Sequence, residues 1–150
     1  MYQLIYTSIH NNLKPTEIVS DIVEKSKANN LRDNITGILV FSSGYFLQCL
    51  EGDKSAINTT FINITKDSRH FNLNLISYEQ VFGRTFPYWT MAFIAQKDID
   101  KGAYFRHGIT EFNPYKMDSK AVLPFLRGLG LVYTDKMAHP LEFDPYKGYV

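Results

Sequence analysis

At 150 residues the chain fits one domain, with enough length to bury about two-thirds of the surface exposed on unfolding. Ten tyrosines and eleven phenylalanines make it aromatic-rich, and a formal net charge of +1 gives it no electrostatic pull toward duplex DNA or an anionic membrane. The single cysteine excludes an intrachain disulfide, the N-terminus lacks the features of a signal peptide, and no apolar run approaches the ~20 residues that span a bilayer. A soluble, cytoplasmic, single-domain protein is expected.

Residues 2–8 (YQLIYTS) read as a strand, followed by the turn formers His10, Asn11 and Asn12. Pro15 opens a helical pattern with Ile18, Val19, Ile22 and Val23 on one face, fading through Ser26 to Asn29 and Asn30. Strands 35–41 and 45–51 are joined by Ser42-Ser43-Gly44, a hairpin signal. Asp53 can N-cap a helix carrying Ile57, Phe61 and Ile64, which ends near Asp67–His70. Two further strands follow near 73–82 and 90–96, separated by Gly83 and Pro87.

The order β-α-β-β-α-β-β predicts an α+β, ferredoxin-like sheet with both helices on one face. Strands 35–41 and 45–51 are apolar at nearly every position, so the C-terminal third must cover the other face. There Asp118 is an expected N-cap, and Val122, Phe125, Leu126, Leu129 and Tyr133 recur at helical spacing. Pro124 belongs in a first turn, which places the stable helix from about Leu123. Gly128 and Gly130 weaken its interior and mark it as a soft element. Residues 135–150 lack periodicity and read as a tail that docks or meets a partner. The division expected is 1–97 for the sheet domain and 98–150 for a helical extension packed on it.

Alternation puts Phe46, Gln48 and Leu50 on one face of the third strand and Leu47 and Cys49 on the other. Gln48 is therefore an amide inside an apolar run, and a buried amide without partners costs roughly 1–3 kcal/mol. By itself it reads as a core amide bonded to backbone or water. Tyr6, on the adjacent first strand, is a partner that satisfies both groups. Ser26, Asn29 and Asn30 end the first helix, and Asp67, Arg69 and His70 end the second; singly, each set is ordinary helix termination. Together they line a groove between parallel helices, with Ile22 and Ile64 as apolar walls, that suits a flat heteroaromatic ring with a polar tail. Trp89 and Met91 are expected on one face of the last strand. Cys49 reads as core, the histidines lack metal spacing and no Gly-rich phosphate loop is present.

Six segments, LIYTS (4–8), SKANN (26–30), NITGIL (34–39), FLQCLEGD (46–53), DSRH (67–70) and FPYWTMAF (86–93), resemble in order and spacing the BLUF domains, flavin-based blue-light sensors. MDSKAVLPFL (117–126) is similar to the C-terminal extension of short stand-alone, PixD-like members. The resemblance implies FAD as cofactor, with FMN or riboflavin as alternatives, its ring between the two helices. It assigns Tyr6 as electron donor, Gln48 as switching amide, and Asn30, Asn29 and Ser26 to the ring's polar edge. Asp67 and Arg69 fall near the ribityl-phosphate chain, and Trp89 and Met91 near Gln48. Asn63 departs from the pattern, standing where many relatives carry a basic residue.

The implied mechanism is a switch without turnover. Tyr6 passes an electron to the excited flavin, a proton follows through Gln48, and Gln48 is left rotated or tautomerised. No cyclase, kinase or DNA-binding segment is recognisable, so output is expected through a light-dependent protein partner of response-regulator type, with the chain itself a homo-oligomer. A ferredoxin-like small-ligand module without photochemistry is the alternative. An acylphosphatase-type hydrolase would need an anion-binding Arg after the first strand, and residues 9–13 (IHNNL) hold none.

Overall fold

A computed structural model describes residues 1–11, 15–95, 99 and 108–138, with side chains from position 20 in the first helix and to position 134 in the last. The strands are β1 (Tyr2–His10), β2 (Thr36–Ser42), β3 (Tyr45–Gly52), β4 (His70–Gln80) and β5 (Ala92–Ala95); the helices are α1 (Pro15–Arg32), α2 (Lys54–Thr65) and α3 (Ser119–Ala138). They form one five-stranded sheet in the order β4-β1-β3-β2-β5, antiparallel except for the β2–β5 pair. This is the ferredoxin-like α+β plan with a fifth strand.

Period-two alternation divides the sheet's side chains between two cores. Leu4, Tyr6, Leu39, Phe41, Phe46, Leu50 and Phe93 face α1 and α2, where they meet Val23 and Ile57. Ile5, Ile38, Val40, Leu47, Cys49 and Ile94 face the opposite way and are covered by Phe112 and by Val122, Phe125, Leu126 and Leu129 of α3. With both faces covered, the central strands have no polar face to show, which explains their nearly unbroken apolar runs.

Several element boundaries differ from expectation for local reasons. β4 starts at His70 rather than 73, because Asn72 takes a left-handed φ of 53° that lets the strand pair with β1 through an irregular register. α1 runs on to Arg32, so Asn29 and Asn30 are helical rather than capping residues. Asp53 occupies the N-cap position of α2 but makes no side-chain cap bond. In α3, Asp118 does cap: its Oδ1 accepts the Lys120 N–H at 2.8 Å. The helix then begins at Ser119 and carries Pro124 inside it, on an exposed position, rather than starting at Leu123. Gly130 is buried where α3 crosses the 81–91 segment, and a β-carbon there would lie 3.2 Å from Phe86 Cε1 and 3.4 Å from Trp89 Cζ3. Its small size serves close packing at this crossing. α3 runs on to Ala138, so the first four residues of the expected tail 135–150 are helical; its remainder, 139–150, and the side chains of Ile18 and Val19 lie outside the described residues.

Candidate functional site

The antiparallel register pairs Tyr6 of β1 directly with Gln48 of β3. Both side chains stand on the α1/α2 face, each 3% exposed, and the Tyr6 hydroxyl donates to Gln48 Oε1. The Gln48 Nε2 donates in turn to Met91 Sδ at 3.5 Å. Burial is the first cause, and the nearby Asp67 carboxylate the second, that pushes the Tyr6 phenol far above its ordinary pKa. Tyr6 therefore does not ionise by itself near neutral pH. If it loses an electron, the proton must leave with it, and Gln48 is the group holding that proton's path.

A cavity of about 220 Å³ opens beside this pair, between α1 and α2. All ten expected cofactor residues line it: Tyr6, Ile22, Ser26, Asn29, Asn30, Gln48, Ile64, Asp67, Arg69 and His70. Asn30 is 2% exposed and is fixed by its Nδ2, which donates to Thr90 O at 2.7 Å. Phe46, Leu39 and Leu50 add apolar wall from the sheet. The cavity thus combines apolar walls with two buried amides, Asn30 and Gln48, a donor and acceptor set that fits a planar ring with carbonyl and N–H groups on one edge.

Charged groups at the end of α2 also line it. Arg69 Nε lies 2.9 Å from Asp67 Oδ1, and Arg69 Nη1 reaches across to Asp21 Oδ2 of α1 at 2.6 Å. Hydrogen bonds from Arg69 hold the Asp67 carboxyl below the ordinary carboxylate range. His70 is held on both nitrogens: Nε2 is 2.9 Å from Ile64 O and Nδ1 is 2.8 Å from Ser8 Oγ. Because a carbonyl can only accept, Nε2 carries the proton and Nδ1 accepts from the serine. Burial lowers the His70 pKa and keeps the ring neutral.

Trp89 and Met91 do not share a face. Residues 89–91 precede β5 and are irregular, so strand alternation does not govern them. Met91 is 2% exposed and belongs to the core on the cavity side. Trp89 turns to the far face, 5.2 Å from the Tyr133 ring of α3 and 6.2 Å from Phe86. The structure brings Met91 to Gln48 and takes Trp89 away from it. Asn63, the position where the resemblance expects a basic residue, also lines the cavity, as do Lys25, Arg32, Asp33, Thr59 and Thr60, which the sequence reading does not include. Helical spacing alone places Asn63 beside Thr59, Thr60 and Ile64; the α1 charges needed the tertiary groove to be recognised.

Comparison with known proteins agrees with this geometry. The family model described as "BLUF: Sensors of blue-light using FAD" matches residues 1–92. The blue light- and temperature-regulated antirepressor BluF of Escherichia coli (strain K12) is 31% identical over 70 residues, covering 47% of this chain and 17% of that protein. The chain spans less than a fifth of the length of this relative and of a Euglena gracilis photoactivated adenylate cyclase subunit beta. Among solved structures, the photo-activated state of BlsA superposes with a TM-score of 0.79 at 25% identity, covering 87% of this chain and 94% of that one. The dark state of BlrB, a BLUF protein, superposes with a TM-score of 0.75 at 25% identity over 89% of this chain and 96% of that one.

Proposed function

The chain belongs to the BLUF family, sensors of blue light using FAD, and from this premise we propose how its own residues hold the flavin and convert light into a changed hydrogen bond. Ile22 and Ile64 would hold the ring between α1 and α2, Asn30, Asn29 and Gln48 would offer hydrogen bonds to its polar edge, and Asp67, Arg69 and His70 would meet its tail. FAD is the cofactor proposed. The flavin, once bound, supplies absorption of blue light and an excited state that accepts an electron.

Tyr6 is the donor. As its electron leaves, its hydroxyl proton would pass to Gln48 Oε1, the atom it already bonds, and when the electron returns a proton from Gln48 would return with it, so that Tyr6 is restored. Gln48 then exchanges its two nearly isosteric ends or their proton. Rotation would set Gln48 Oε1 against Met91 Sδ, which can accept but not donate. Two acceptors face to face repel, so the rotated state requires Met91 to withdraw. Met91 lies in the same segment as Trp89, and Trp89 packs on Tyr133 of α3. This gives a contiguous route from the amide to the opposite face of the sheet, and supports α3 as the element whose two arrangements carry the signal.

The output proposed is a protein partner of response-regulator type, bound by a homo-oligomer of this chain in the cytoplasm. Among the described residues no helix is long and apolar enough to cross a membrane. Signalling to a partner is in keeping with the relative described as an antirepressor.

The observation that carries this reading is the Tyr6 hydroxyl bonded to Gln48 at the wall of an amide-lined cavity. The test is a light-minus-dark absorption spectrum of the flavin-loaded protein. A small, reversible red shift is expected, lost in Tyr6→Phe and Gln48→Ala. A shift that persists in Gln48→Ala refutes the role given to the amide.

A further inference from the structure

Glu51 is 0% exposed, yet it lines no part of the flavin cavity. It sits on β3 three positions beyond Gln48 and is occupied entirely with hydrogen-bond donors of uncharged groups. Its Oε1 accepts from Gln3 Nε2 at 2.7 Å and from the Thr85 N–H at 2.8 Å; its Oε2 accepts from the Phe86 N–H at 2.9 Å. Arg84, the residue before those amides, reaches back in the other direction. Its Nη1 donates to Thr36 Oγ1 at 2.7 Å and to Glu51 O at 2.6 Å, and its Nη2 donates to Asn34 O at 2.7 Å. The segment is buttoned to the ends of β2 and β3 by a carboxylate from the sheet and a guanidinium from the segment.

The other end of this segment enters the site. Trp89 O accepts from the Gly37 N–H at 3.0 Å, Thr90 O accepts from Asn30, and Met91 Sδ accepts from Gln48. Between the two ends, Phe86 and Trp89 bear on Gly130 of α3. We propose that Glu51 and Arg84 are positioning residues: a latch that fixes residues 84–91 against the strand ends and so sets where Met91 stands against Gln48 and where Trp89 stands against α3. A carboxylate is required because all three donors must be accepted at once. A Gln at position 51 would turn its own NH₂ toward one of them.

The effect on photochemistry rests on the reading above, but the latch itself does not. The test uses the flavin-loaded full chain as wild type, Glu51→Gln, Arg84→Ala and Val40→Ala, the last a cavity in the far core that leaves the latch intact. Amide hydrogen exchange at Thr85 and Phe86 in the dark should rise roughly tenfold or more in Glu51→Gln. Flavin affinity should stay near the wild-type value in both latch variants. Return of the light-induced shift should change by about threefold or more in both, beyond any change in Val40→Ala at equal thermal stability. Return rates that merely follow those of Val40→Ala, or exchange that stays at the wild-type rate, overturn the latch. If Glu51→Gln does not fold, Arg84→Ala, a half-buried surface residue, decides the matter through the same readouts. A wild type without a light response but with Trp89 emission and loop exchange altered in the variants leaves the latch standing and refutes the photosensor mechanism.

Discussion

Tyr6→Phe deletes one hydroxyl and little else. The ring keeps its packing 5.5 Å from Phe61, but Gln48 Oε1 loses its donor at a position where both residues are 3% exposed. An amide oxygen left unpaired there costs about 1–3 kcal/mol, offset in part by the greater apolarity of Phe. A net loss of about 1–2 kcal/mol corresponds to a fall in Tm of roughly 2–8 °C for a domain of this size. Gln48→Met removes the other partner and should cost less in the Tyr6→Phe background than in wild type, since nothing is then orphaned. Thermal unfolding of the four proteins gives a coupling energy, expected at about 1 kcal/mol or more. Coupling within about 0.3 kcal/mol of zero would mean that the phenol and the amide do not depend on each other, and would refute the reasoning.

Other perturbations should be as specific. The His70 pKa is lowered by burial, so the folded state takes up its proton later than the unfolded chain as pH falls. Stability is then fully present above the unfolded value of about 6.5 and declines below it toward the folded value; the decline should be shallower in His70→Gln, measured by denaturant melts between pH 5 and 7 taken as roughly the His range. Asn30→Ala removes the bond that fixes Thr90 and one amide of the cavity, and should weaken flavin binding about tenfold or more by fluorescence titration. Gly130→Ala gains helix propensity but forces Phe86 or Trp89 aside by a few tenths of an ångström; a net loss of about 1 kcal/mol with a changed Trp89 emission spectrum is expected.

Much of this site was legible in the chain because strand alternation is rigid. Once Gln48 was placed on the face opposite Cys49, and β1 beside β3, Tyr6 had few other places to go. Trp89 and Met91 escaped because the rule was applied where there is no strand, and an irregular turn sent them to opposite cores. The helix ends misled for a different reason. Asn-Asn reads as a cap, but the Asp33 N–H donates to Asn29 O at 3.0 Å, so α1 continues through the pair to Arg32, and the Ile35 N–H donates to Asn30 O at 2.8 Å just beyond its end. Arg69 bridging Asp67 to Asp21, and Glu51 receiving Thr85 and Phe86, join residues distant in sequence. A glutamate at a strand end ordinarily faces water, and only the folded loop over it reveals otherwise.

The most direct test is the side-chain amide of Gln48, followed by NMR in the flavin-loaded protein and assigned by its loss in Gln48→Ala. Its Nε2 protons should move to new positions under blue light and return in darkness at the rate of the absorption shift. An amide signal that is unchanged while the flavin spectrum shifts would place the switch in some other group.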